Sequence, residues 1–183
     1  MKLMFASDLH GDYDCAKATL EKFRAEGAEK LILLGDLLYH GPRNDLPAGY
    51  APKKVIALLN ENKADLVCVR GNCDTEVDQM VLNFPILSDT ACLFVDGHTI
   101  IAAHGHHDAP PLCDSDILLG GHTHVPVFEQ RMTKDGATYL HINPGSVSLP
   151  KENSPKSYVL LNGDEVIFCD LDGNPYRRER IGG

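Results

Sequence analysis

Nine side chains in this sequence are of kinds that hold metal ions or move protons, and they fall in short clusters. These are Asp8 with His10, Asp36, Asn72 with Cys73, His104 with His106, and His122 with His124. Each cluster follows an apolar run: "KLMFAS", "LILLG", "LVCVRG", "TIIAA" and "ILLGG". Carboxylate and amide oxygens mixed with imidazole nitrogens suit Mn²⁺, Fe or Zn²⁺ better than Ca²⁺, and the thiolates of a structural zinc site are missing. Mn²⁺ is the first expectation. The ligands exceed the needs of one ion, so two divalent ions sharing Asp36 are expected. A pair roughly 3.5–4 Å apart is the usual device of phosphoryl chemistry. Taken singly, each residue has a plainer reading: Asp8 as a helix cap, His10 as a surface histidine, Asn72 as a turn residue, His122 and His124 as loop histidines. Their recurrence behind five apolar runs is what points to one site.

The elements that must position these groups can be read from periodicity. Residues 2–7 read as a strand, and "DYDCAKATLEKFRAEGAEK" as a helix with Ala16, Leu20 and Phe23 on one face, Asp12 or Asp14 at its start and Gly27 at its end. "LILL" is the next strand, "KKVIALLNENK" the next helix and "DLVCV" a third strand. This alternation predicts βαβ units in a largely parallel sheet, whose carboxyl ends are where open α/β sheets bind ligands. In the second half, hairpins are expected around Asp96-Gly97, Asp135-Gly136 and Asn162-Gly163, with a short buried strand in "DILLGG". The hairpins predict a second sheet packed on the first, giving an α/β sandwich of two mixed sheets flanked by helices. Glycines beside the clusters, among them Gly11, Gly35, Gly71, Gly105 and Gly121, permit sharp turns at the strand ends.

Composition bounds the rest. A chain of 183 residues with 43% hydrophobic and 23% charged residues is expected to form a single domain over residues 1–183. No apolar run is long enough to span a membrane, and Asp8 arrives too early for a signal peptide, so a cytoplasmic location is expected. The six cysteines, with no C-x-x-C pair, read as mostly buried free thiols of a reducing compartment. A net charge of −9 without a basic cluster beyond "RRER" argues against general nucleic-acid binding. It does not exclude small anionic substrates, because bound cations can invert the sign of a site. Homo-oligomer formation is left open. His40, His98, His107 and His141 read as ordinary histidines, with His98 exposed in a turn, and the terminal "YRRERIGG" reads as a solvated tail. Tyr39, His40, Arg43 and Asn44 lie in a loop long enough to cover a site.

The blocks "DLHGD", "GDLLYHG", "RGNCD", "AHGHH" and "GGHTH" resemble, in order, the five blocks of the calcineurin-like metallophosphoesterases. The likeness is greatest to that superfamily's small stand-alone bacterial and archaeal phosphodiesterases. "NPGS" at 143–146 matches a further family element. The resemblance implies a four-layer fold, with Asp8, His10, Asp36 and His124 on one ion and Asp36, Asn72, His104 and His122 on the other. Asp36 is then the bridge, and His106 lies close to the metals and orients substrate or nucleophile. The implied reaction is hydrolysis of small phosphodiesters by a bridging hydroxide attacking phosphorus in line. Cys73 departs from the commoner pattern, in which a histidine after the asparagine protonates the leaving oxygen; a thiol of reference pKa about 8.5 is a poorer acid near neutrality than an imidazolium of about 6.5. A second reading, from another class, is a non-catalytic protein-interaction scaffold similar to the retromer subunit of this fold.

Overall fold

The computed structural model describes residues 1–182. Strand β1 (Lys2–Ala6), helix α1 (Tyr13–Ala25), β2 (Lys30–Leu33), α2 (Pro52–Glu61) and β3 (Leu66–Cys68) form the expected βαβαβ run. Strands β1, β2 and β3 are parallel and adjacent. Asp12 caps α1 by accepting the Cys15 amide at 3.0 Å, and Gly27, at φ +63°, follows its end. A short α3 (Glu76–Gln79), opened by a Thr75–Asp78 capping box, was not foreseen. The second half adds β4 (Thr90–Val95), β5 (His98–Ala103), β6 (Ile117–Leu119), β7 (Pro126–Met132), β8 (Thr138–Pro144), β9 (Ser157–Asn162), β10 (Glu165–Asp170) and β11 (Pro175–Arg180).

Two mixed sheets result. One has the order β11-β10-β9-β1-β2-β3, the other β4-β5-β6-β8-β7. Three expectations are corrected here. The hairpin at Asn162-Gly163 joins the first sheet, because β9 pairs antiparallel with β1 (Leu3 opposite Leu161, Phe5 opposite Val159). "YRRERIGG" is no tail: most of it forms β11, an edge strand paired with β10. His98, expected exposed in a turn, instead opens β5 half-buried, with its Nε2 2.9 Å from Asp164.

Alternation along β1 shows how the layers divide. Met4 and Ala6 face Ala16, Leu20, Phe23 and Val55 of the helices, while Leu3 and Phe5 face Ile100, Ile117 and Ile142 of the other sheet. Helices α1 and α2 therefore cover the first sheet. The outer face of the second sheet is covered instead by the loop after β5, where Leu112 packs on Ala103, Leu118 and Tyr139. Both sheets place the carboxyl ends of β1, β2, β3, β5 and β6 along one rim, where the clusters follow.

Candidate metal centre

The rim is tied together before any side chain acts. The Asp8 amide donates to Gly35 O (3.1 Å), the His10 amide to Asp36 O (2.9 Å), and the Gly121 amide to His104 O (2.8 Å). Asp8, His10, Asp36, His122 and His124 all hold left-handed backbone, with φ between 47° and 65°. That conformation is uncommon for residues other than glycine and costs of order 1–3 kcal/mol each. Its concentration at five of the predicted ligands marks a place where position outweighs stability.

Three imidazoles are fixed by the same device. The Nδ1–H of His10 donates to Tyr39 O (2.8 Å), that of His104 to Leu34 O (2.5 Å), and that of His124 to Leu149 O (2.5 Å). The tautomer this sets leaves each Nε2 with an exposed lone pair. All three lone pairs turn towards carboxylates. Asp8 Oδ1 lies 3.6 Å from His10 Nε2, 3.3 Å from His124 Nε2 and 4.0 Å from His104 Nε2. Asp36 reaches both sides, its Oδ2 3.7 Å from His10 Nε2 and its Oδ1 3.6 Å from His104 Nε2. Asn72 Oδ1 lies 3.1 Å from His104 Nε2. His122 stands beside His104, ring centroids 5.2 Å apart, and its amide donates to Asp8 Oδ2.

These atoms fit a cation. Asp8 Oδ1 is buried with no hydrogen-bond partner, and the Nε2 atoms of His10 and His124 are 3.2 Å apart. Lone pairs facing one another at that distance need a cation between them or a proton on one of them. Among the described residues, three groups bring one donor atom each to within 4.8 Å of one another: Asp8, His10 and His124; Asp8, Asp36 and His104; and His10, Asp36 and Cys73. Burial opposes charge on Asp8, but His10 and His124 outweigh it and hold its carboxyl below the usual range. Burial, with His104 next, pushes His122 down, which keeps its nitrogen free to bind.

Of the remaining predicted residues, Cys73 reaches the cleft, which has a volume of about 360 Å³ and is lined in part by His10, Asp36, Asn72, Cys73, His122 and His124. Cys73 is buried; its amide donates to Asp36 Oδ1 (2.8 Å) and its Sγ meets Asn72 Nδ2 at 3.2 Å. Burial and the Asp36 carboxylate push its thiol well above the ordinary range. His106 lies further out, 5.3 Å from the His104 ring, half-buried and facing a different cavity. Sequence reasoning gave no role to Ser7, Asp74, Asn143 or Lys151. Ser7 Oγ donates to Asp8 Oδ2 (2.6 Å), and Asp74 accepts the amides of Asp36, Leu37 and Gly71. Asn143 donates to Gly121 O (2.7 Å), which accounts for part of "NPGS", and Lys151 lines the cleft.

Two mixed sheets with an Asp/His/Asn cluster at their common rim define a phosphoesterase of the two-sheet type. Residues 1–165 match the profile of the calcineurin-like phosphoesterase superfamily domain, and the chain belongs to that superfamily. It is 48% identical over 176 residues to phosphodiesterase YfcE of Escherichia coli K12, covering 94% of this chain and 93% of the relative. The solved structure of the E. coli protein superposes with a TM-score of 0.91 at 45% identity over 100% of both chains. Two more distant structures share the fold. An archaeal phosphodiesterase superposes at a TM-score of 0.61 with 22% identity (98% of this chain, 99% of the other). Zinc-complexed Vps29 of Entamoeba histolytica superposes at 0.54 with 20% identity (100% of both). Among the described residues no helix is long and apolar enough to cross a membrane.

Proposed function

We propose that this chain, acting as one phosphoesterase domain over residues 1–183, hydrolyses small phosphodiesters with two divalent ions. Asp8, His10, Asp36 and His124 would hold one ion, and Asp36, Asn72, His104 and His122 the other. The observation that carries this reading is the convergence of backbone-oriented imidazole lone pairs on an unpartnered buried oxygen of Asp8. A diester is favoured because the 48%-identical relative is a phosphodiesterase. Bound divalent ions supply charge neutralisation at phosphoryl oxygens and a water nucleophile near neutral pH. Asp36 directs one oxygen to each side of the site. Arg43 and Lys151, on the cleft wall, add cations for the diester's anionic phosphate. His106 orients substrate. The Cys73 thiol stays protonated and is a weak acid, so departure of the alcohol depends on the alcohol's own stability. The free cysteines fit a cytoplasmic setting. A scaffold role draws on the Vps29-like fold alone, and no residue of the cleft favours it.

Mn²⁺ is proposed as the working ion, since Mg²⁺ prefers oxygen ligands and this shell offers several imidazoles. Chelation should remove diester hydrolysis, and Mn²⁺ should restore it better than Mg²⁺ in a titration of the metal-free protein. Equal rescue would count against the histidine-rich shell.

A further inference from the structure

A second cavity, of about 400 Å³, lies on the outer face of the second sheet and meets the metal centre at His104, Gly121 and Thr123. Thr123 lines both cavities, so the two open on either side of one short ridge. The volume is that of a small-molecule site, ~300–1,000 Å³. Its floor is apolar, made by Ala103, Leu118 and Val127, and the rings of Tyr139, His141 and His106 stand around it. The His106 and His107 rings lie 3.9 Å apart, forming part of the wall.

His141 is the informative residue. It is 8% exposed, yet its Nδ1 is buried without a hydrogen-bond partner, as is that of His106. Its ring lies against Gly120, where an added Cβ would come within 2.9 Å of Nε2. Leaving a buried polar atom unpaired costs stability, and a leucine on this strand face would avoid the cost. Flat rings on the wall accept another flat ring by stacking, and the apolar floor accepts its edge.

We propose that this cavity is a subsite for one ester group of the diester, and that the group it accepts is an uncharged aromatic ring. The inference rests on the hydrolytic reading for its substrate but not for its binding. Charge does not select the guest: Arg131 at the mouth is engaged by Glu129, and Asp108 is almost fully exposed.

Two measurements on the purified metal-loaded protein test it. Calorimetric titration with phenylphosphonate and methylphosphonate reads the subsite without turnover, and the inhibition constants of the same two phosphonates against hydrolysis of p-nitrophenyl methyl phosphate read it during turnover. The aryl compound should be favoured about tenfold in both. Val127→Phe, which fills the cavity from an edge strand, should bring both ratios close to one. His141→Leu should lower the ratios while raising the melting temperature, whereas loss of a merely structural histidine would lower it. Aryl preference in binding with no turnover of the diester would sink the hydrolytic reading and leave the subsite standing. Turnover with no aryl preference would do the reverse. Equal affinity for the two phosphonates, including no binding of either, or an aryl preference untouched by Val127→Phe, overturns the subsite.

Discussion

Asp36 carries the heaviest duty of any single side chain. Its Oδ1 already accepts the Cys73 amide at 2.8 Å while the two oxygens face His104 and His10. Asp36→Asn would remove the charge that the two proposed cations share but no apolar surface. Turnover should fall by more than the ~10–100-fold that loss of an outer-shell partner costs, with the fold intact. Wild-type kcat and metal content in the purified variant would show that Asp36 does not bridge. Cys73 gives the second expectation at this scale. With its thiol held protonated, the rate should fall steeply as the leaving group's pKa rises. Cys73→His should flatten that dependence, with gains no larger than ~10²–10⁴-fold. An aryl diester series, with metal content measured in parallel, decides: an unchanged slope at full occupancy leaves Cys73 as packing. The candidate ligands stood out in the sequence because each cluster follows an apolar run. Their orienting partners did not, since Leu34, Tyr39 and Leu149 act through backbone carbonyls, which no residue type marks.

The loops after β2 and β3 cross so closely that only glycine fits. A Cβ on Gly71 would lie 2.1 Å from Asp36 Oδ1 and 2.3 Å from Asp36 N, while Asp74 holds both loops through the amides of Asp36, Leu37 and Gly71. Gly71→Ala should therefore displace Asp36, lowering bound metal and activity together. Gly27→Ala makes the comparison: its φ is +63° and nothing lies within 4 Å, so it should cost about 1–2 kcal/mol of stability and spare metal binding. Denaturant midpoints and metal content of the two variants separate the effects, and equal metal retention would refute the crossing as the positioning device. The βαβ half was readable because helical and strand periods alternate in "DYDCAKATLEKF" and "LILL". The misplaced hairpin had a usable signal: "SYVLL" is buried on both faces, the mark of an interior strand, whereas partners across sheets are chosen by long-range packing that local pattern does not encode. Strand β11, "PYRRER", is two-thirds charged and sits at an edge, where charge is tolerated and apolar alternation is absent.

At the scale of the whole molecule, the two sheets meet at the candidate site: one supplies Asp8, His10, Asp36 and Asn72, the other His104, His122 and His124, and the proposed two-ion shell draws on both. Asn143, Ser146 and Ser148 stitch the rim from the segment just after β8's core pairing, the two serines through Asp8 O at 2.9 and 2.7 Å. On the proposed reading, the chain would hold two adjoining divalent ions that share Asp36. Stepwise addition of Mn²⁺ to the metal-free protein, with hydrolysis of bis(p-nitrophenyl) phosphate recorded at each step, measures this directly. Activity should rise to a plateau at two equivalents per chain. A plateau at one equivalent, or full activity with no metal added, would contradict it.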